Sequence, residues 1–142
     1  VWGGSTGAVA GGMAGARTDA RIKEQQAAAQ QAELAKIREE IGADAFNGLA
    51  ALAACKHEIA IANAREAARS RNRDHALAGL WLEHLAEADR GNKDRLTVTL
   101  PEIVEYDPQI RSESEARELT AEALAELGVI RKEYNLPVVC KG

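Results

Sequence analysis

The sequence predicts a mainly α-helical protein with a long N-terminal helix, a helical hairpin and a small C-terminal strand-helix-strand element. Apolar residues recur at helical spacing over most of the 142 residues, and no proline interrupts residues 1–42. Alanine supplies much of the apolar content, and aromatic residues make up only 4% of the chain, so we expect a thin core or closely packed helices. We divide the chain into a glycine-faced apolar helix (1–17), a charged Ala/Gln-rich helical stalk (18–42) and a helical soluble head with short strands (43–142).

The first element is marked by four glycines spaced four residues apart, namely Gly3, Gly7, Gly11 and Gly15. On a helix this spacing places them on one face, where the missing side chains let another helix approach closely. Each glycine costs about 1 kcal/mol relative to alanine in an isolated helix, so such a helix needs a partner surface. The alternative is a flexible glycine-rich tail.

Residues 1–16 carry no charged side chain. As a helix they would span about 24 Å, short of the roughly 30 Å hydrocarbon core of a bilayer. Three interpretations follow: a short or tilted membrane segment, part of a longer one, or a buried helix between subunits. Trp2 suits an interfacial layer and Arg17 begins the charged region, so we place the membrane interface at these two residues. Because the chain begins with Val1, we expect that a leader was removed or that the numbering starts inside a longer product.

The pattern Gly3-x-x-x-Gly7-x-x-x-Gly11-x-x-x-Gly15, about a tenth of the chain, resembles the glycine-zipper segments of bacterial envelope proteins, including small outer-membrane lipoproteins. The resemblance implies association with membranes and self-assembly.

The next segments predict a stalk and the first half of a hairpin. Leu34, Ile37 and Ile41 form a narrow apolar stripe in a helix over residues 18–41. Gly42 and Gly48 mark a bend. A broad apolar face then continues to about residue 69.

Residues 75–90 predict the second hairpin helix, with Asp74 as the N-cap and Gly91 as the C′ residue. Leu77, Leu80, Trp81, Leu85 and Ala88 face one way along it.

The C-terminal region predicts two strands around a helix. Leu96-Thr-Val-Thr-Leu100 alternates apolar and polar residues, which is typical of a strand, and Pro101 ends it or limits it to an edge. Ser112 and Glu115 form a capping box before a helix over residues 113–134. Residues 136–140 form a short apolar run that we expect to pair in parallel with residues 96–100.

The two cysteines, Cys55 and Cys140, lie 85 positions apart without a CxxC motif. We expect one disulfide, which closes a long loop and implies an oxidising compartment such as the bacterial periplasm. The alternative is a pair of buried free thiols.

The sequence gives no catalytic, cofactor-binding or metal-binding signature. Cys55 and His57 would point apart on a helix, and His84 with Glu87 offers too few ligands for a metal. Glu83 and Glu87 are helical neighbours that we expect on a solvated face.

We therefore expect a non-enzymatic structural subunit of a homo-oligomeric, membrane-associated bacterial envelope assembly, in the form of a ring, pore or filament. Its expected partners are copies of itself, membrane lipid along residues 1–16 and other envelope proteins. The net charge of -4 and pI near 5.5 argue against nucleic acid. The alternative is a periplasmic, membrane-anchored adaptor that recognises a partner protein.

Overall fold

A computed structural model describes residues 20–140, which contain six helices and no strand. The helices are α1 (Ala20–Ile41), α2 (Ala43–Ala53), α3 (His57–Ala68), α4 (Arg73–Asp89), α5 (Lys93–Tyr106) and α6 (Glu113–Glu133). The mainly α-helical class is thus confirmed. The glycine face (Gly3, Gly7, Gly11, Gly15) and the interface residues Trp2 and Arg17 lie outside the described residues.

Helix α4 forms the centre of the fold and contacts each of the other five helices. Every residue from Ala78 to Glu87 is buried except the partly buried Leu80. A helix that is buried all round is typical of the middle of a helical domain. The core around it is rich in alanine, as the composition indicated; the buried alanines include Ala45, Ala51, Ala53, Ala60, Ala64, Ala67, Ala78, Ala86 and Ala116.

Helices α3 and α4 form the predicted hairpin, and their backbones lie close together at Gly79. A Cβ atom on Gly79 would lie 2.5 Å from the backbone nitrogen of Ala68 and 2.6 Å from the carbonyl oxygen of Ala64. Only glycine fits there, because the backbone of α3 occupies the space of the side chain.

Two glycines that were expected to mark one bend have different roles. Gly42 separates α1 from α2 and adopts φ 90°, a conformation that glycine adopts without strain. Gly48 lies inside α2, where an added Cβ would meet Leu82 Cδ2 at 2.5 Å. It therefore permits packing of α2 on α4 rather than a bend.

The caps of α4 agree with the sequence at one end and differ at the other. Asn72, not Asp74, is the N-cap, and its side chain accepts hydrogen bonds from the backbone N–H groups of Asp74 and His75. Gly91 adopts φ 76° directly after the C-cap, as predicted. At α6, the hydroxyl of Ser112 accepts from the N–H of Glu115, which supports the predicted start of that helix.

The predicted strand over residues 96–100 is wrong, because this segment lies within α5. Thr99, Leu100 and Ile103 are its buried residues, and this spacing is helical rather than alternating. The Thr97 and Thr99 hydroxyls donate to the carbonyls of Asp94 and Arg95, three and four residues earlier. Such local bonds satisfy threonine inside a helix.

The second predicted strand, residues 136–140, is also absent from the described structure. This segment has no regular secondary structure, and its expected partner, residues 96–100, is helical. It runs back from the end of α6, and Cys140 joins it to the connection between α2 and α3. The tail is thus held by a covalent bond to this connection and not by pairing with a second strand.

Among the side chains of helix α1 that the structure describes, the buried ones lie in its second half. Gln25, the alanines at 27–29, Gln31 and Ala32 are exposed, and the first buried side chain among those described is Ile37. Consecutive residues of a helix point in different directions, and over residues 27–32, where only Gln30 is partly buried, no face of the helix is buried.

Candidate functional site

Five residues from distant parts of the chain meet where α2, α4 and α6 end. We call this cluster the disulfide junction, and it comprises Cys55, His57, Asp89, Arg131 and Cys140. Each of the three helices ends in the same way: residues Cys55, Gly91 and Asn135 have positive φ values of 63°, 76° and 58°.

These three helix ends are Schellman motifs, in which a left-handed residue allows two backbone N–H groups to turn back to the last carbonyls. At α2, the Lys56 N–H bonds to the Ala51 carbonyl and the Cys55 N–H to the Leu52 carbonyl. Glycine or asparagine is usual at the left-handed position, and Cys55 is an exception. This backbone conformation directs the chain from α2 into α3 and places Cys55 beside the tail.

Arg131 is the most constrained side chain of the junction, with only 2% of its surface exposed. Its Nε donates to the carbonyl of Ala53 (3.1 Å) and its Nη2 to the carbonyl of Leu52 (2.6 Å). Its Nη1 donates to the carbonyl of Val138 (3.2 Å), and both terminal nitrogens bind Asp89. All five N–H donors of the guanidinium are therefore used. Because two of the acceptors are last-turn carbonyls of α2, the cation also lies at the negative end of that helix.

Asp89 connects the arginine to the histidine and the disulfide. Its Oδ1 accepts from Arg131 Nη1 (3.1 Å), and its Oδ2 accepts from Arg131 Nη2 (2.8 Å) and from His57 Nε2 (2.7 Å). Cys140 Sγ lies 3.4 Å from the same Oδ2. Burial raises the pKa of Asp89, but the hydrogen bonds and electrostatic interactions with Arg131 and His57 together lower this pKa below its ordinary value.

The cysteine pairing expected from the sequence is confirmed, since Cys55 and Cys140 lie at disulfide distance with Cα atoms 5.5 Å apart. His57 adjoins this pair although the sequence predicted that Cys55 and His57 would point apart. Cys55 precedes α3 instead of lying on it, so the helical geometry assumed for the two residues does not apply. Three ligand atoms, from His57, Asp89 and Cys140, lie within 4.8 Å of one another.

Sequence reasoning missed Asp89 and Arg131. The sequence predicts an apolar stripe along the last helix, formed by Ala116, Leu119, Ala123, Leu127, Ile130 and Tyr134. Of these, Ala116 and Leu127 are buried, and the other buried residues of the helix are Thr120 and Arg131. The signal that marks Arg131 is its position, because it lies four residues after Leu127 on the buried face.

A second polar cluster lies along α4, where the prediction of a solvated carboxylate pair is wrong. Glu83 and Glu87 are 7% and 1% exposed. Arg65 Nε bonds to Glu83 Oε1 at 2.8 Å, Arg90 pairs with Glu87, and Arg95 lies 3.4 Å from both carboxylates. Three cations on α3, α5 and the end of α4 thus compensate two buried carboxylates, which is what burial of charge requires.

His84 lies beside this cluster and is 3% exposed. Its Nδ1 is 2.7 Å from Thr99 Oγ1. Because the single hydrogen of that hydroxyl is donated to the carbonyl of Arg95, Oγ1 accepts from Nδ1–H. Burial lowers the pKa of His84 to about 4, so the imidazole is neutral near pH 7. It therefore contributes a hydrogen bond and not a charge.

Comparison of the chain with models of protein families, with curated proteins and with solved structures gives no match. None of the helices within residues 20–140 combines the length and the apolar character that crossing a bilayer requires.

Proposed function

We propose that this chain is a non-enzymatic structural subunit of a homo-oligomeric, membrane-associated assembly of a bacterial envelope. The segment 1–16 packs between copies through Gly3, Gly7, Gly11 and Gly15, in or near a membrane. Helix α1 is the stalk, and residues 43–142 form the head.

The observation that carries the proposal is the exposure of α1. Between Gln25 and Lys36, none of the side chains that the structure describes is buried. This exposure supports a helix that separates the head from the preceding segment and presents that segment to neighbouring copies. Alanine, glutamine, glutamate and lysine are good or fair helix formers, which lets such a helix persist with little packing. A spacer of 14 residues from Ala20 to Glu33 would be about 21 Å long.

The disulfide supports the proposed compartment. Disulfides persist in oxidising environments such as the periplasm, and this one joins the tail to the middle of the chain. Weak contacts between glycine faces are then multiplied by the symmetry of the assembly.

The test compares the mass of the full chain with that of Gly7→Leu/Gly11→Leu, measured by sedimentation in a mild detergent. We expect the wild type to form particles of several copies and this variant to form much smaller ones. Ala8→Leu/Gly12→Leu is the matched control, because it adds two leucine side chains at the same spacing but about 100° round the helix. Its particles should keep nearly the wild-type mass.

Flotation with phospholipid vesicles measures the membrane contact separately. Particles that keep their mass in the Gly7→Leu/Gly11→Leu variant would contradict assembly through the glycine face. Electron micrographs of the wild type then separate a ring or pore from a filament.

A further inference from the structure

We propose that the disulfide junction is also a metal site: when the disulfide is reduced, Cys55, Cys140, His57 and Asp89 bind one Zn²⁺ ion in a tetrahedral arrangement. This inference rests on the junction alone and is independent of the proposed assembly.

The ligand types fit the metal. Zinc takes thiolate, imidazole and carboxylate ligands, usually four of them, and the junction offers two sulfurs, one nitrogen and one oxygen. The structure already holds His57 Nε2, Asp89 Oδ2 and Cys140 Sγ within 4.8 Å of one another. Cys55 is the fourth, with its Cα atom 5.5 Å from that of Cys140.

The distances require local movement of the ligand side chains, the largest being that of the two sulfurs, which are bonded in the oxidised chain and would separate to about 3.8 Å. With zinc–sulfur and zinc–nitrogen or –oxygen bonds of about 2.3 and 2.0–2.1 Å, ligand atoms on a tetrahedron lie about 3.3–3.8 Å apart. Cys140 Sγ is already 3.4 Å from Asp89 Oδ2. His57 Nε2, now 2.7 Å from that oxygen, would move away by about half an ångström to reach this spacing.

Asp89 can bind the metal without losing Arg131. Each carboxylate oxygen has two lone pairs, and Arg131 takes one on each oxygen. The second lone pair of Oδ2 now accepts the hydrogen of His57 Nε2. When His57 carries its proton on Nδ1 instead, its Nε2 lone pair can bind the metal, and this Oδ2 lone pair becomes available to the metal as well. Arg131 then acts as a partner that orients the ligand carboxylate, as is common around bound zinc.

The charges balance in both states. In the oxidised junction the Asp89 carboxylate is offset by the Arg131 guanidinium. In the metal form, two thiolates and one carboxylate carry three negative charges, and Zn²⁺ with Arg131 carries three positive charges. A half-buried cluster therefore changes its bonding without acquiring an uncompensated charge.

The reaction is a two-electron reduction followed by metal binding. A dithiol reductant breaks the S–S bond by thiol–disulfide exchange, is itself oxidised to a disulfide, and leaves two thiols on the chain. Zn²⁺ then replaces the two thiol protons, which are released to solvent. The metal then links the tail to the segment before α3, as the disulfide did in the oxidised chain.

The test is zinc titration of the full chain after reduction with a phosphine, in competition with a chromophoric chelator. We expect one Zn²⁺ per reduced chain and at least 100-fold weaker binding to the oxidised chain and to Cys55→Ser/Cys140→Ser. His57→Ala should weaken binding at least tenfold. His75→Ala is the matched control, because His75 lies outside the junction and should leave the affinity within twofold. With Co²⁺ as the probe, we expect sulfur-to-metal charge transfer and the strong visible bands of a tetrahedral site.

If the reduced chain loses helical structure, circular dichroism with and without zinc still tests the proposal. In that case zinc must restore the helical signal of the wild type and not that of the double serine variant. The proposal is overturned if the reduced wild type binds zinc no better than the double serine variant, if His57→Ala binds as tightly as the wild type, or if a reduced, unfolded chain stays unfolded with zinc. None of these results depends on the mass of the assembly, so the two proposals fail separately.

Discussion

Arg131 shows how a single side chain can connect segments that are far apart in sequence. Its guanidinium binds carbonyls at the end of α2, the carboxylate of Asp89 at the end of α4 and the carbonyl of Val138 in the tail. An arginine suits this position because its five donors have a fixed planar geometry that lysine lacks. A buried cation is tolerated here because every donor has an acceptor.

We expect Arg131→Met to lower the free energy of unfolding by about 3–5 kcal/mol, because it leaves the Asp89 charge without its partner. Urea denaturation of the oxidised protein measures this change. The control is Arg117→Met, whose arginine is exposed and pairs with Glu113 at 3.6 Å; it should change the free energy of unfolding by less than about 1 kcal/mol. Equal losses in the two variants would contradict the role of Arg131.

His84 should make the stability depend on pH below neutrality. The pKa of His84 is about 4 in the folded protein and about 6.5 in an unfolded chain, so the unfolded chain binds the proton first. The contribution of His84 is fully present above about pH 6.5 and is lost as the pH falls through that window towards about 4. The total is on the order of a few kcal/mol, since one pKa unit corresponds to about 1.4 kcal/mol.

Urea denaturation at several pH values between 7 and 4 tests this expectation. His84→Leu should show a flatter dependence than the wild type, and the Thr99 hydroxyl keeps its bond to the Arg95 carbonyl in that variant. His75→Leu, which replaces a histidine that is only partly buried, should keep the wild-type slope. Identical slopes for His84→Leu and the wild type would refute the assignment.

At the scale of helices, the contact between α3 and α4 depends on Gly79. Its Cα faces the backbone of α3, so the axes of the two helices can lie close together only without a side chain. Small residues thus do permit close helix packing in this protein, but the example that the structure describes is in the hairpin.

We expect Gly79→Ala to destabilise the protein by about 1–3 kcal/mol, because its methyl group overlaps backbone atoms that cannot rotate away. Gly128→Ala in α6 should instead stabilise it by up to about 1 kcal/mol through helix propensity. A Cβ atom there would meet only Val138 Cγ1 at 3.6 Å. Thermal and urea unfolding of both variants should give opposite signs, and a loss of stability in both would contradict the explanation.

At the scale of the whole molecule, the disulfide connects the tail to the middle of the chain. The two cysteines are 85 positions apart, so the bond strongly restricts the unfolded chain. In the chain-entropy model this contributes about 4–5 kcal/mol.

We therefore expect Cys55→Ser/Cys140→Ser to lose about 2–5 kcal/mol of stability in the absence of metal. Urea unfolding of that variant and of phosphine-reduced wild type, both with a chelator present, should give similar losses. A loss below about 1 kcal/mol in both would show that the junction is held by Arg131 alone.

How far the sequence predicts this structure depends on whether the signal is local. The start of α6 follows from Ser112, and the end of α4 follows from Gly91, because caps act within one turn of the helix. The segment 96–100 is misassigned because alternating threonine and valine favour a strand locally, whereas packing against α4 favours a helix. Asp89 has no local signal, since its partners His57 and Arg131 lie at least 32 residues away. The position of Arg131 four residues after Leu127 marks it as buried, but its partners Leu52, Ala53 and Asp89 lie at least 42 residues away.

The sequence by itself determined the helical class. It favoured pairing of the only two cysteines, with free thiols as the alternative, and it gave rise to the expectation that the glycine face drives association. The tertiary structure decided that α4 lies at the centre, that its carboxylates are buried among arginines, and that His57 and Asp89 meet the disulfide. The physical reason is the range of the interactions. Helix propensity, capping and periodicity act between residues a few positions apart, but burial and charge compensation depend on which helix ends the whole fold brings together.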